Sequence, residues 1–96
     1  MSYNGVLFRP VTTQSISFDA SVAMSNAVGD GVDAVYLTAT DHCHIAIAPS
    51  PTATTSTMYL TKDWPYCLKI AAGEKVAAIK AAGASAGTLF VTEVSQ

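Results

Sequence analysis

The stretch AVYLTATDHCHIAIA, residues 34–48, alternates in character at period two and runs into a break rich in proline, serine and threonine, APSPTATTST. Successive strand side chains point to opposite faces, so this alternation predicts one long, half-buried β-strand. Leu37, Ala39, Cys43, Ile45 and Ile47 fall on one face, and Thr38, Thr40, His42 and His44 on the other. Shorter segments on both sides repeat the pattern, which defines a small β domain.

Upstream, NAVGDGVD (26–33) holds two glycines and two aspartates, a turn composition that delivers the chain into the long strand. QSISFD (14–19) sets Ile16 and Phe18 against Ser15 and Ser17, and ASVAMS (20–25) continues weakly with Val22 and Met24. These are two short strands or one bent strand. Nearer the N-terminus, Val6, Leu7 and Phe8 precede Arg9 and Pro10. Proline cannot donate to a ladder, so this segment suits an edge strand or an extended arm.

Downstream, residues 48–57 read as a mobile surface loop between strands. TMYLT (57–61) is a short strand, and Lys62, Asp63, Trp64 and Pro65 form a turn, because a residue before proline is pushed toward extended geometry. YCLKIAA (66–72) follows with Tyr66, Leu68 and Ile70 on one face. GTLFVTEVS (87–95) places Phe90 and Val94 opposite Leu89 and Val91. With both faces apolar, this strand is either central to the core or covered by a neighbouring subunit. Residues 74–82 behave differently: helix propensity is high, Val76 and Ile79 are three apart, and Gly83 sits where a helix would stop. Local propensity predicts a helix there.

Ninety-six residues make one domain with room for one modest core. Half the residues are hydrophobic and only 12% are charged, against about 25% in ordinary globular domains. So small a monomer would show much apolar surface to water, which favours burial against other subunits. The net charge of −2, with five Lys and Arg spread singly, offers no basic stripe for phosphates, so nucleic acid is not an expected partner. The opening MSYNGVLFRPVTT lacks the basic and apolar regions of a secretory signal, and no apolar run approaches the ~18 residues that span a bilayer. Synthesis in a cytoplasm without membrane passage is expected.

Cys43 and Cys67 fall on opposite phases, Cys43 with Ile45 and Ile47 and Cys67 with Lys69. Two reduced thiols are therefore expected, although a β-bulge could reverse a phase. Motifs for chemistry are mostly missing: the sequence holds no phosphate-cradling glycine loop, zinc helix, nucleophile elbow or C-x-x-C pair. His42 and His44 share a strand face at a spacing that can offer two zinc ligands, but a further ligand is not nominated. Hydrogen bonding at a surface or subunit contact is the plainer reading of that pair. Cys43 points away from both imidazoles, which argues against a thiolate nucleophile. Asp30 to Asp33 lacks the twelve-residue frame and terminal Glu of a calcium loop and reads as a turn. Tyr59, Trp64 and Tyr66 gather around the turn at 62–65, either as the lid of a small core or as a sugar platform or interface anchor.

From Tyr36 to Val94 the order of features resembles a group of small virion proteins of tailed bacteriophages. The features are the strand with Asp41, His42, Cys43 and His44, the SPTAT loop (50–54), an aromatic strand before a glycine turn, KVAAI (75–79) and the closing GTLFVTE (87–93). The likeness covers about two-thirds of the chain and lies in the order of loops and strands. It implies an all-β fold, a compact antiparallel β-sandwich or jelly roll of about seven to eight strands, as a single domain over 1–96 with a short N-terminal arm over about 1–11. It also implies a strand at 74–82, although this chain has alanines where the similar proteins have β-branched residues; the doubled histidine of DHCH is a second departure.

In function the resemblance implies a capsid decoration (cement) protein, not an enzyme, made in the host cytoplasm and carried on the capsid surface of the virion. No active site or cofactor comes with it. The expected partners are the major capsid protein and further copies of this chain, as a homotrimer. Phe8, Arg9 and Pro10 are the arm residues expected to reach a neighbour, and Trp64 and Tyr66 are further candidate interface residues. The alternative is a tail- or spike-associated binding or adaptor module, with Trp64, Tyr66 or Tyr59 as a carbohydrate platform.

Overall fold

A computed structural model of the chain describes residues 9–95. Its strands are β1 (Arg9–Phe18), β2 (Ala23–Met24), β3 (Ala34–Ala39), β4 (Cys43–Ala48), β5 (Met58–Leu60), β6 (Tyr66–Lys69), β7 (Lys75–Lys80) and β8 (Gly87–Ser95). They form two four-stranded antiparallel sheets ordered β1-β8-β3-β6 and β2-β7-β4-β5. The pairs β1·β8, β2·β7, β3·β6 and β4·β5 alternate between the sheets, and β8·β3 and β7·β4 join them. This is the strand order of a jelly roll, an eight-stranded β-sandwich.

The stretch at 34–48 is two strands in different sheets. The chain leaves the first sheet at Thr40, whose N–H donates to the Thr88 carbonyl at 2.9 Å and whose Oγ1 accepts from the Thr88 N–H at 2.9 Å. Asp41 then turns it, with Oδ1 accepting from the His42 N–H at 2.7 Å and Oδ2 from the Ser85 N–H at 3.2 Å. Cys43 lies four positions after Ala39, an even step, so the inward phase survives the crossing. Val35, Leu37, Ala39, Cys43 and Ile45 all lie in one core between the sheets. An alternation that stays in phase across a sheet switch looks, in sequence, like one long strand.

Residues 75–80 form a strand, against the helix expected from propensity. Val76 and Ile79, three apart, lie on opposite faces: Val76 is buried in the core and Ile79 is paired with the outward His44. Central placement between β2 and β4 satisfies both backbone edges of β7 and overrides the alanine propensity. Gly73 and Gly83, at φ of 86° and 80°, form the turns on either side.

β1 is an edge strand and β8 a central one. The first of the two readings of the C-terminal strand therefore holds, with Leu89 and Val91 on the inner face. Arg9 pairs with Ser95 and Pro10 with Val94, so residues 9–11, assigned to the arm from sequence, are part of β1. Val11 is the extra residue of a bulge between Pro10 and Thr12. Phe8 and the rest of the expected arm lie outside the described residues. The loop after β4 is tied down rather than loose. Thr57 donates its N–H and its hydroxyl to the Thr54 carbonyl at 3.0 and 2.8 Å, and Pro51 and Ala53 are buried.

Candidate functional site

Three exposed apolar side chains, Phe90 on the first sheet and Met24 and Tyr59 on the second, lie on the outer sheet faces. On the first sheet the register sets Ser15 beside Phe90 and Phe90 beside Thr38, and in the next row Thr13, Thr92, Tyr36 and Cys67. Phe90 is 41% exposed in a central strand. Lys69, on the edge strand β6, is the charged residue of that face among the described side chains. On the second sheet Met24 lies beside Ala77 and Ala77 beside Ala46, while Ile79, His44 and Tyr59 form the neighbouring row. Met24 and Tyr59 are 46% and 47% exposed, and Lys75, opposite Ala48, carries the charge there. Each outer face thus has a lysine and no carboxylate on its strands.

Tyr59 organises an aromatic cluster with the two histidines. The His42 ring stacks on it, with centroids 5.7 Å apart at 16°, and the His44 ring meets it edge-on at 5.4 Å and 66°. The hydrogen bonds assign complementary tautomers. The Lys62 N–H donates to His42 Nδ1 at 3.2 Å, so that nitrogen carries no proton and the neutral ring holds its proton on Nε2. His44 Nδ1 lies 2.9 Å from the Thr57 carbonyl, which can only accept, so here Nδ1 carries the proton and Nε2 keeps its lone pair. Binding a metal through Nε2 of His42 would move the proton to Nδ1 and break the Lys62 bond. Among the described residues no group of three or more His, Cys, Asp and Glu is placed to hold a metal ion.

The remaining sequence candidates separate. Trp64 is 62% exposed in the loop before β6. That loop is held by Asp63, at φ 57°, whose N–H donates to the Ala39 carbonyl at 2.8 Å. Tyr66 turns inward to pack on the core, and its hydroxyl accepts from the Thr61 N–H at 3.1 Å. Trp64 and Tyr66 therefore do not form a common platform. Of Arg9 and Pro10 the structure places the backbone in β1, and Phe8 lies outside the described residues. Cys43 is buried in the core, where desolvation first, and the Asp41 charge second, push its thiol up to about 11. It is a protonated core residue at neutral pH. Cys67 is exposed and free, on the outer face of the other sheet. At 30–33, Gly31 takes φ 81° and Val32 is buried, which makes the segment a turn that plugs the core.

Sequence reasoning missed the part of Glu93. It is 7% exposed on the inner side of β8, where Oε1 accepts from the Gly29 N–H at 3.3 Å and Oε2 from Gln14 Nε2 at 3.4 Å. Its odd position in GTLFVTEVS, in phase with Leu89 and Val91, was the available signal. No family model, curated protein or solved structure matches this chain, so its likeness to small phage virion proteins stands on the residues quoted for it alone.

Proposed function

We propose that this chain is a structural protein of a tailed-bacteriophage virion, a decoration protein that binds the outside of the capsid and bridges neighbouring capsomers. The observation that carries the reading is the pair of opposed sheet faces, each with exposed apolar groups and no carboxylate on its strands. A bridging protein needs contact surfaces on two sides, and the sandwich offers Phe90 on one and Met24 with Tyr59 on the other. Exposed apolar area of this kind favours burial against a partner. The partner under this reading is the major capsid protein, and the chemistry is packing rather than catalysis.

Co-sedimentation with undecorated capsids, followed by thermal release of their contents, tests it. The protein is expected to bind and to raise the release temperature, and Phe90→Lys to weaken binding without changing the circular dichroism spectrum. Absence of binding to capsids overturns the reading. A second reading, a tail- or spike-associated module that binds carbohydrate, is favoured by the exposure of Trp64 and of Tyr59 beside His42. Binding on a glycan array that is lost in Tyr59→Ala or Trp64→Ala would select it.

A further inference from the structure

The four sheet edges differ sharply. β2, β5 and β6 are two, three and four residues long, whereas β1 runs for ten. Long edges are normally guarded by charge, proline or a bulge. On β1 the bulge and Pro10 guard only its start, and from Val11 to Phe18 the strand holds no charged residue.

Which backbone groups of β1 are free follows from β8. The Thr88 N–H and carbonyl both engage Thr40, on the β3 side. Alternation in an antiparallel ladder then turns Phe90 and Thr92 toward β3 as well, and Leu89, Val91 and Glu93 toward β1. Ile16, Gln14 and Thr12 are thus the hydrogen-bonded partners, while Ser17, Ser15 and Thr13 turn their N–H and carbonyl groups outward. The 3.0 Å contact between the Thr13 and Thr92 hydroxyls agrees, since side chains approach most closely at non-hydrogen-bonded pairs. Among the described residues none bonds to these outward groups.

We infer that the free edge of β1 pairs antiparallel with β1 of a second copy of this chain, joining two four-stranded sheets into one across a two-fold axis at Ser15. The stretch between the bulge and the turn at Asp19 is centred on Ser15, and the outward residues Thr13, Ser15 and Ser17 are symmetric about it. Self-pairing therefore sets Thr13 against Ser17 of the second copy and Ser15 against its own copy. All three outward residues find partners, each pair exchanging both N–H···O bonds. Small hydroxyl residues face each other throughout, with no like charges opposed. Such a contact is isologous and closes as a pair. It differs from the trimer expected from the sequence, and it does not depend on the capsid reading, because it is measured on the purified protein alone.

Sedimentation equilibrium of wild-type protein and two double variants tests it. Wild type is expected at twice the 9.9 kDa chain mass. Thr13→Lys with Ser17→Lys opposes like charges at two pairs and is expected at the single-chain mass, whereas Thr13→Lys with Ser17→Glu opposes unlike charges and is expected to stay paired. A single-chain or three-chain mass for wild type overturns the proposal, as does equal behaviour of the two variants. Amide exchange on wild type reads the edge without substitution. Slow exchange at Thr13, Ser15 and Ser17 is expected, and fast exchange at all three overturns the pairing.

Discussion

Gln14 on β1 and Glu93 on β8 meet inside one end of the sandwich, the Gln14 amide donating to the Glu93 carboxylate at 3.4 Å and also holding Asn26, whose N–H donates to Gln14 Oε1 at 2.8 Å. Glu93 accepts in turn from the Gly29 N–H, so two side chains tie the first sheet to the loop that follows β2. Removing one partner leaves a buried acceptor unmet, which costs about 1–3 kcal/mol. Gln14→Ala is expected to lower the unfolding free energy by that amount, read as a lower urea midpoint. An unchanged midpoint would show that water replaces the amide.

Gly87 opens β8 in close contact with Phe18, the last residue of β1, and with Thr40, just past the end of β3. A Cβ there would stand 2.7 Å from Thr40 Oγ1 and 3.0 Å from Phe18 Cζ. Overpacking of this kind typically costs about 1–3 kcal/mol. Gly87→Ala is expected to destabilise in that range, and Thr40→Ala added to it to recover part of the loss, which a double-mutant cycle on thermal unfolding checks.

The two thiols are expected to differ in reactivity. At pH 8 a thiol reagent should label Cys67 in native protein and reach Cys43 only after unfolding. Because burial raises the Cys43 thiol to about 11, the folded state holds that proton more tightly than the unfolded chain. Its contribution is full below the unfolded value and is lost as pH rises toward 11, so Cys43→Ala should flatten the alkaline loss of stability.

Asp41 behaves in the opposite sense. The His42 N–H bond, followed in size by an opposing desolvation and then the Ser85 N–H, holds its carboxyl below the usual value. Such a group stabilises above its unfolded value, and the contribution is lost as pH falls through the folded one. Asp41→Asn should therefore weaken the acid dependence of thermal stability, measured by scanning calorimetry across the carboxylate range.

The histidine tautomers give a spectroscopic check. Long-range nitrogen–proton correlation at neutral pH is expected to find the proton on Nε2 in His42 and on Nδ1 in His44. The same tautomer in both rings would contradict the hydrogen bonds to Lys62 and Thr57.

Alternation is a local property, and for that reason the sequence alone determined a β-rich domain outside residues 74–82, the inward set Leu37, Ala39, Cys43, Ile45 and Ile47, and the opposed phases of the two cysteines. Side-chain phase depends only on the chain's own pleat. Which sheet a strand joins depends on partners far along the chain, so the break at Thr40 and the pairing of β1 with β8 were decided by tertiary structure. The same holds for residues 75–80, where alanines that favour a helix in isolation become a strand because β2 and β4 offer hydrogen bonds on both sides. The grouping at Tyr59 is of this kind as well. His42 and His44 share a face by spacing, but the ring between them comes from β5, and only the β4·β5 register brings it there.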